Sequence, residues 1–116
     1  MVVQTSPLIT TNRRRYKRYI VEGFVTLDCA LGKANGALLN LGQGGILVRV
    51  AGRYRAATIV SLRIQLENYP EMLATSGQVV GTQDGLVAIQ FLEKPMGIEL
   101  LLNWLEQENC TWSGFE

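Results

Sequence analysis

The side chains best suited to chemistry in this chain are the basic ones near its start. Five of its 11 Lys and Arg residues lie between positions 13 and 18, in the run Arg13-Arg14-Arg15-Tyr16-Lys17-Arg18. Because like charges repel, folding alone does not require such a concentration. Arginine forms paired hydrogen bonds with phosphate oxygens and with the O6/N7 edge of guanine, and it stacks on flat rings. The run therefore predicts a site for an anion that carries phosphates and planar groups.

A second notable segment is rich in glycine. Asn40-Leu41-Gly42-Gln43-Gly44-Gly45 begins 22 positions after Arg18. Glycine permits positive φ angles and allows the backbone to approach another group closely. The amide of Asn40 offers both a hydrogen-bond donor and an acceptor. We expect this segment to form a tight turn between two strands.

The composition limits the class of function. The chain has 116 residues, 47% of them apolar, which is enough for one domain with its own core. Its net charge is only +1, so the basicity is local and favours a compact anionic ligand over a nucleic-acid polymer. The sequence has no histidine, and its two cysteines lack metal-ligand spacing. These features predict a protein that is not an enzyme and needs no metal or cofactor.

Neither a secretion signal nor a membrane span is predicted. The first ten residues lack a basic segment followed by an apolar one. No apolar run approaches the roughly 20 residues that cross a bilayer. We therefore expect a cytoplasmic protein with reduced thiols.

Alternating apolar residues predict six short β-strands. The residues expected to face inward are, strand by strand, Tyr19, Val21, Val25 and Leu27; Ala37, Leu39 and Leu41; Ile46, Val48 and Val50; Thr58, Val60, Leu62, Ile64 and Leu66; a less regular set within 72–83; and Val87, Ile89 and Phe91. Residues 29–36 are expected to form the first turn, and Gln83-Asp84-Gly85 a hairpin. Gly77 and Gly81 are expected to mark bulges or bends.

After Pro95 the apolar period changes from two residues to 3.6. Ile98, Leu101, Leu102 and Leu105 follow the i, i+3, i+4, i+7 spacing of an amphipathic helix. The sequence therefore predicts a mainly β fold, a six-stranded antiparallel β-barrel with a C-terminal α-helix. Its predicted parts are a flexible N-terminal arm over 1–11, the barrel domain over 12–108 with its closing helix at about 96–108, and a tail over 109–116 that contains Trp112 and Phe115.

With this scaffold, the chain resembles the PilZ domain family of bacterial receptors for the second messenger cyclic di-GMP. That family has an RxxxR motif, often RRxxxR, just before its first strand, and Arg13-Arg14-Arg15-Tyr16-Lys17-Arg18 matches it. Between the second and third strands it has D/N-x-S-x-x-G, which the segment 40–45 matches at its first and last positions. Residues 77–91 also look like the family's closing hairpin. The resemblance covers roughly residues 12–92.

The resemblance implies a role for each matched residue. Arg14 and Arg18, preceded by Arg13, would bind phosphates and guanine edges and stack on the bases. Asn40 would hydrogen-bond a guanine. Gly45 stands where a side chain would obstruct the ligand or the turn.

One residue departs from the family pattern. Gly42 stands where the family usually has serine, so a hydroxyl is missing from the implied ligand site. A neutral hydrogen bond contributes on the order of 0.5–1.5 kcal/mol, or roughly a factor of two to ten in affinity. We expect this change to weaken binding of cyclic di-GMP and not to abolish it.

The resulting functional hypothesis is a receptor for cyclic di-GMP that changes conformation on binding and signals to a downstream protein partner. The resemblance implies outputs such as motility or exopolysaccharide synthesis. The alternative is a PilZ-like adaptor with weak or no nucleotide binding, which the glycine at position 42 favours. A third hypothesis, a barrel for single-stranded RNA or DNA, predicts a basic groove with exposed aromatic side chains, whereas the basic residues here cluster at one end.

Overall fold

The computed structural model describes residues 17–108 as a β-barrel followed by one α-helix. The elements are β1 (Arg18–Cys29), β2 (Gly32–Gly42), β3 (Gly45–Arg49), β4 (Ile59–Leu66), β5 (Leu73–Gln83), β6 (Leu86–Phe91) and α1 (Ile98–Gln107). The strands form a closed antiparallel barrel in the order β1-β2-β3-β6-β5-β4, and β4 pairs with β1. The predicted fold class is confirmed. The predicted N-terminal arm and the C-terminal tail with Trp112 and Phe115 lie outside the described residues.

The barrel interior is filled by the apolar residues that alternate along its strands. Those least accessible to solvent include Val25, Leu27, Ile46, Val48, Val60, Leu62, Ile64, Val87 and Ile89. The helix α1 adds Ile98, Leu101 and Leu105 to the same core, while Leu102 is half-buried. Truncating a buried leucine of this kind costs about 2–5 kcal/mol, so this apolar face holds the helix on the barrel. No helix within residues 17–108 is long and apolar enough to cross a membrane.

The first turn is shorter than the sequence predicts. β2 already begins at Gly32, so only Ala30 and Leu31 separate it from β1. This end of the β1–β2 hairpin is largely exposed on both faces, and Lys33 pairs with Asp28 there. A strand that is exposed on both faces carries polar residues and glycine, and its composition therefore resembles that of a turn.

A bulge decides which residues of β2 face inward. Leu38 and Leu41 are buried, whereas Ala37 is exposed and Leu39 is only half-buried. The β2–β3 register shifts between Leu38 and Asn40. Because the extra residue reverses the alternation, the predicted inward positions Ala37 and Leu39 are wrong and only Leu41 is right.

The hairpin between β5 and β6 is the one that the sequence predicts. Asp84 and Gly85 have φ angles of 53° and 81°. Two successive left-handed residues are typical of a type I′ turn, whose twist matches that of the flanking strands. This turn sets the register of the β5–β6 pair from Gln83 and Leu86 to Gly81 and Ala88.

The two glycines predicted to mark bulges in β5 differ. Gly81 lies at a register shift between β5 and β6, as expected. Gly77 instead pairs regularly with Phe91, and a Cβ atom there would lie 2.6 Å from Cγ2 of Ile89. Gly77 is therefore required by packing in the barrel interior.

Candidate functional site

The start of β1 lies against the end of β2. In their antiparallel register Arg18 pairs with Gly42, and Ile20 pairs with Asn40. Arg18 Nη1 donates a hydrogen bond of 3.1 Å to Asn40 Oδ1, and both side chains are half-buried. This bond joins the two segments singled out in the sequence, through residues that lie 22 positions apart.

Gly42 lies directly beneath the backbone of the arginine-bearing segment. A Cβ atom at this position would lie 2.5 Å from the carbonyl oxygen of Lys17 and 3.4 Å from Cδ of Arg18. The absence of a side chain is what allows β1 to begin so close to β2. Of the two properties that glycine offers here, positive φ angles are not used, since no glycine of the segment 40–45 has a left-handed backbone. Close approach is the reason for glycine at position 42.

Gly45 lies at the junction of two strands. It opens β3 and pairs with Gln90 of β6, and a Cβ atom there would lie 2.2 Å from the carbonyl oxygen of Ile89. The turn before it consists of Gln43 and Gly44. Gly45 therefore allows β3 and β6 to approach each other.

The structure brings three of the six predicted site residues together, namely Arg18, Asn40 and Gly42, with Gly45 at the start of the next strand. Arg13 and Arg14 lie outside the described residues. The roles of all six toward a ligand remain predictions.

Three further arginines lie away from this site. Arg49 ends β3, and Arg53 and Arg55 follow in the loop between β3 and β4. That loop is at the opposite end of β3 from the turn at 43–44. These arginines therefore form a natural comparison for any test of the site at the start of β1.

A polar cluster that the sequence does not predict joins the start of β1 to α1. Lys17 Nζ forms an ion pair with Glu106 Oε2 at 3.2 Å, and the hydroxyl of the buried Tyr19 donates to the same carboxylate. The hydrogen bond from Tyr19, then the hydrogen bond and charge of Lys17, hold the pKa of Glu106 below its ordinary value. Lys17 and Glu106 are 89 positions apart, so no local spacing in the sequence indicates the contact. The segment that carries Arg18 is thus held against both β2 and α1.

The chain matches a protein-family model over most of its length. The family model for the PilZ domain matches residues 12–107, which is most of the chain. The match extends beyond the region of roughly 12–92 that the motifs suggest, and it includes α1. No match was found among curated proteins.

Several solved structures have the same fold. The inhibitor of motility MotI/DgrA from Bacillus subtilis has a TM-score of 0.71 at 20% identity, with 84% of this chain and 51% of that chain covered. The PilZ domain of YcgR from Escherichia coli, solved with c-di-GMP, has a TM-score of 0.63 at 18% identity, with coverages of 84% and 94%. The PilZ domain of CeSA from a cellulose-synthesizing bacterium has a TM-score of 0.58 at 18% identity, with coverages of 77% and 97%. This chain thus spans about half the length of the MotI chain, and at these identities the likeness concerns the fold.

Proposed function

The chain belongs to the PilZ domain family, and from this membership we propose that it is a non-enzymatic receptor for cyclic di-GMP. The observation that carries the proposal is the contact between Arg18 and Asn40 at the place where the family motifs meet. PilZ domains are binding domains and not catalysts, and the related PilZ domain of YcgR was solved with c-di-GMP. The proposal places the protein in the cytoplasm and involves neither a cofactor nor a nucleic-acid polymer.

The Arg18–Asn40 pair has the chemistry that a guanine nucleotide requires. A guanidinium has five N–H donors in one plane, so it can hold Asn40 and a phosphate oxygen at the same time. The side chain of Asn40 accepts from Arg18 through its oxygen, and its amide nitrogen is a donor suited to an acceptor on guanine. The existing hydrogen bond restricts a long side chain before the ligand arrives, which reduces the entropy lost on binding.

We propose that Arg13 and Arg14 complete the site from the segment before β1. If that segment is extended when the ligand is bound, Arg14 and Arg18 point to the same side about 13 Å apart at Cα, within reach of one dinucleotide. Phosphate and guanine contacts made only in this state supply the free energy of the conformational change. A downstream protein partner then reads the changed surface, in motility or exopolysaccharide production as the family suggests.

Isothermal titration calorimetry of the full chain with cyclic di-GMP tests the proposal. We compare the wild type with the double variant Arg14→Ala/Arg18→Ala and with the control Arg53→Ala/Arg55→Ala, which removes the same charge at the far end of β3. Saturable binding is expected for the wild type and the control, and none for Arg14→Ala/Arg18→Ala. Circular dichroism checks that each variant is folded.

Two results would count against the proposal. Equal weakening in both double variants would show that net charge, and not the site at the start of β1, controls binding. No heat and no thermal shift for the wild type at high ligand concentration would overturn the receptor function. The adaptor with weak or no nucleotide binding would then be the better interpretation.

A further inference from the structure

A cleft of about 310 Å³ lies between β1, the end of β4 and α1. Leu66 and Leu105 are buried in its walls, Trp104 is half-buried, and Ile20 is 53% exposed at its edge. The volume is near the lower end of the range of about 300–1,000 Å³ that is typical of ligand pockets. A cleft of this size and lining suits a large apolar side chain.

Two carboxylates lie side by side on the rim of this cleft. β1 and β4 pair Gly23 with Leu66, and at the next position the amide nitrogen of Glu67 donates to the carbonyl oxygen of Glu22 at 3.0 Å. Residues directly opposite each other in antiparallel strands project to the same face, and like charges in this arrangement are destabilising. Hydrogen bonding to Glu22, and then the charge of Glu22, raise the pKa of Glu67.

Within residues 17–108 no basic side chain balances this pair. The two ion pairs in that part of the chain join Lys17 to Glu106 and Lys94 to Glu99. Both Glu22 and Glu67 are exposed, so a cation from outside the chain can reach them. One cation placed between two carboxylates would relieve their repulsion and contact both.

We propose that this cleft binds a segment of a partner protein that inserts a large apolar side chain and places a neighbouring Lys or Arg against Glu22 and Glu67. The charge of the rim selects this occupant, because an acidic segment would be repelled and a purely apolar one would leave the repulsion in place. The inference rests on the proposed function, for which it locates the surface that meets the downstream partner.

The cleft is structurally continuous with the site at the start of β1. Ile20 lies two residues after Arg18 on the same strand, and it pairs with Asn40. The other wall belongs to α1, which Glu106 joins to Lys17 at the beginning of β1. A ligand that repositions the arginine segment therefore acts on both walls of the cleft.

The test is an NMR titration of the full chain labelled with nitrogen-15. The probes are two capped peptides of equal length, one with alternating leucine and arginine and the other with alternating leucine and glutamate. The basic peptide is expected to shift the amide signals of Glu22 and Glu67 and the indole signal of Trp104 in a saturable manner. The acidic peptide is expected to leave them in place. Absence of shifts with the basic peptide overturns the proposal.

Variants separate the rim carboxylates from general charge attraction. Glu22→Gln and Glu67→Gln are each expected to weaken binding of the basic peptide about two- to fivefold. The control Glu71→Gln removes an exposed carboxylate from the β4–β5 loop outside the cleft, and it should leave the affinity unchanged. If all three substitutions weaken peptide binding equally, net charge explains the effect and the proposal is overturned. If the chain's own residues 1–16 fill the cleft, the basic peptide will leave the signals of Glu22, Glu67 and Trp104 in place, which also overturns the proposal.

The same variants distinguish this inference from the proposed function. Cyclic di-GMP is expected to bind Glu22→Gln/Glu67→Gln with the wild-type affinity, because neither carboxylate belongs to the Arg18–Asn40 site. If the wild-type chain binds cyclic di-GMP but does not bind the basic peptide, the docking surface alone is overturned. Peptide binding without nucleotide binding would overturn the receptor function alone.

Discussion

Arg18 and Asn40 are joined by a hydrogen bond of 3.1 Å from Nη1 to Oδ1 across the β1–β2 pair. Arg18 stands opposite Gly42, the last residue of β2, whereas Asn40 pairs with Ile20, so the bond runs diagonally and draws the guanidinium from the end of β2 back along the strand. The bond therefore orients the cationic group of the first motif over the backbone of the second.

Asn40→Ala is expected to weaken binding of cyclic di-GMP about tenfold or more. The substitution removes a hydrogen bond to a charged group, an interaction of about 1.5–3 kcal/mol, together with the amide proposed to contact guanine. Asn35→Ala is the matched control, because Asn35 lies on the same strand but hydrogen-bonds Thr26 at its exposed end. Calorimetric titration gives both affinities. A wild-type affinity for Asn40→Ala would show that the nucleotide does not use this pair.

Gly42→Ala and Gly42→Ser are both expected to destabilise the protein, by about 1–3 kcal/mol. The reason is the added Cβ atom, which would lie 2.5 Å from the carbonyl oxygen of Lys17. Urea denaturation measures the free energy of unfolding of each variant. Wild-type stability in both would mean that the start of β1 moves away from β2 at little cost.

The same two variants isolate the contribution of the missing serine hydroxyl. Both variants add the same Cβ atom, and only serine adds a hydroxyl. The steric effect of the Cβ atom therefore cancels in the ratio of their affinities, which reports the hydroxyl alone. If the hydroxyl contacts the nucleotide, Gly42→Ser should bind cyclic di-GMP roughly two- to tenfold more tightly than Gly42→Ala. Equal affinities would contradict the role that the family resemblance implies for this position.

Gly45→Ala is expected to be destabilising by about 1–3 kcal/mol or more, since its Cβ atom would lie 2.2 Å from the carbonyl oxygen of Ile89. Gly81→Ala is the control, because it also lies in a strand but its Cβ atom would have no neighbour within 4 Å. There the substitution should be near neutral. Thermal unfolding of the two variants makes the comparison, and similar melting temperatures would contradict the close approach of β3 and β6.

Local patterns account for the parts of the structure that the sequence predicts correctly. Along β4 the residues Val60, Leu62, Ile64 and Leu66 alternate without interruption, and all four are buried. The change to a period of 3.6 likewise predicts α1, which occupies 98–107. In both cases the signal lies within one element and does not depend on its neighbours.

The features that the sequence predicts wrongly or does not predict are those that depend on how elements pair. The bulge in β2 moves the inward position from Leu39 to Leu38, and single-strand alternation does not contain that information. Two motifs indicate the Arg18–Asn40 site, but the sequence leaves open whether Gly42 serves a positive φ angle or a close approach. The β1–β2 register decides for close approach. The contact of Glu106 with Tyr19 depends on how α1 docks, 87 positions later in the chain.

Glu106→Gln is expected to lower the melting temperature at neutral pH. Tyr19 and Lys17 depress the pKa of Glu106, so its ionised form contributes stability above the ordinary carboxyl range. That contribution is lost as the pH falls through the depressed pKa, and the wild type and variant should then converge. Glu108→Gln, an exposed carboxylate just beyond α1, is the control. Melting temperatures measured across acidic to neutral pH test this, and a constant difference would contradict it.

Glu67→Gln is expected to have the opposite effect and to raise the melting temperature at neutral pH. The neighbouring Glu22 raises the pKa of Glu67, so the folded protein binds a proton at this site more tightly than the unfolded chain does. The wild type therefore gains stability relative to the variant as the pH falls through the raised pKa, and the advantage of the variant should disappear in acid. Glu71→Gln, which removes an exposed carboxylate from the β4–β5 loop, is the control. If Glu67→Gln melts at or below the wild-type temperature at neutral pH, the two rim carboxylates do not repel each other. The cleft would then lack the charge that selects a basic partner.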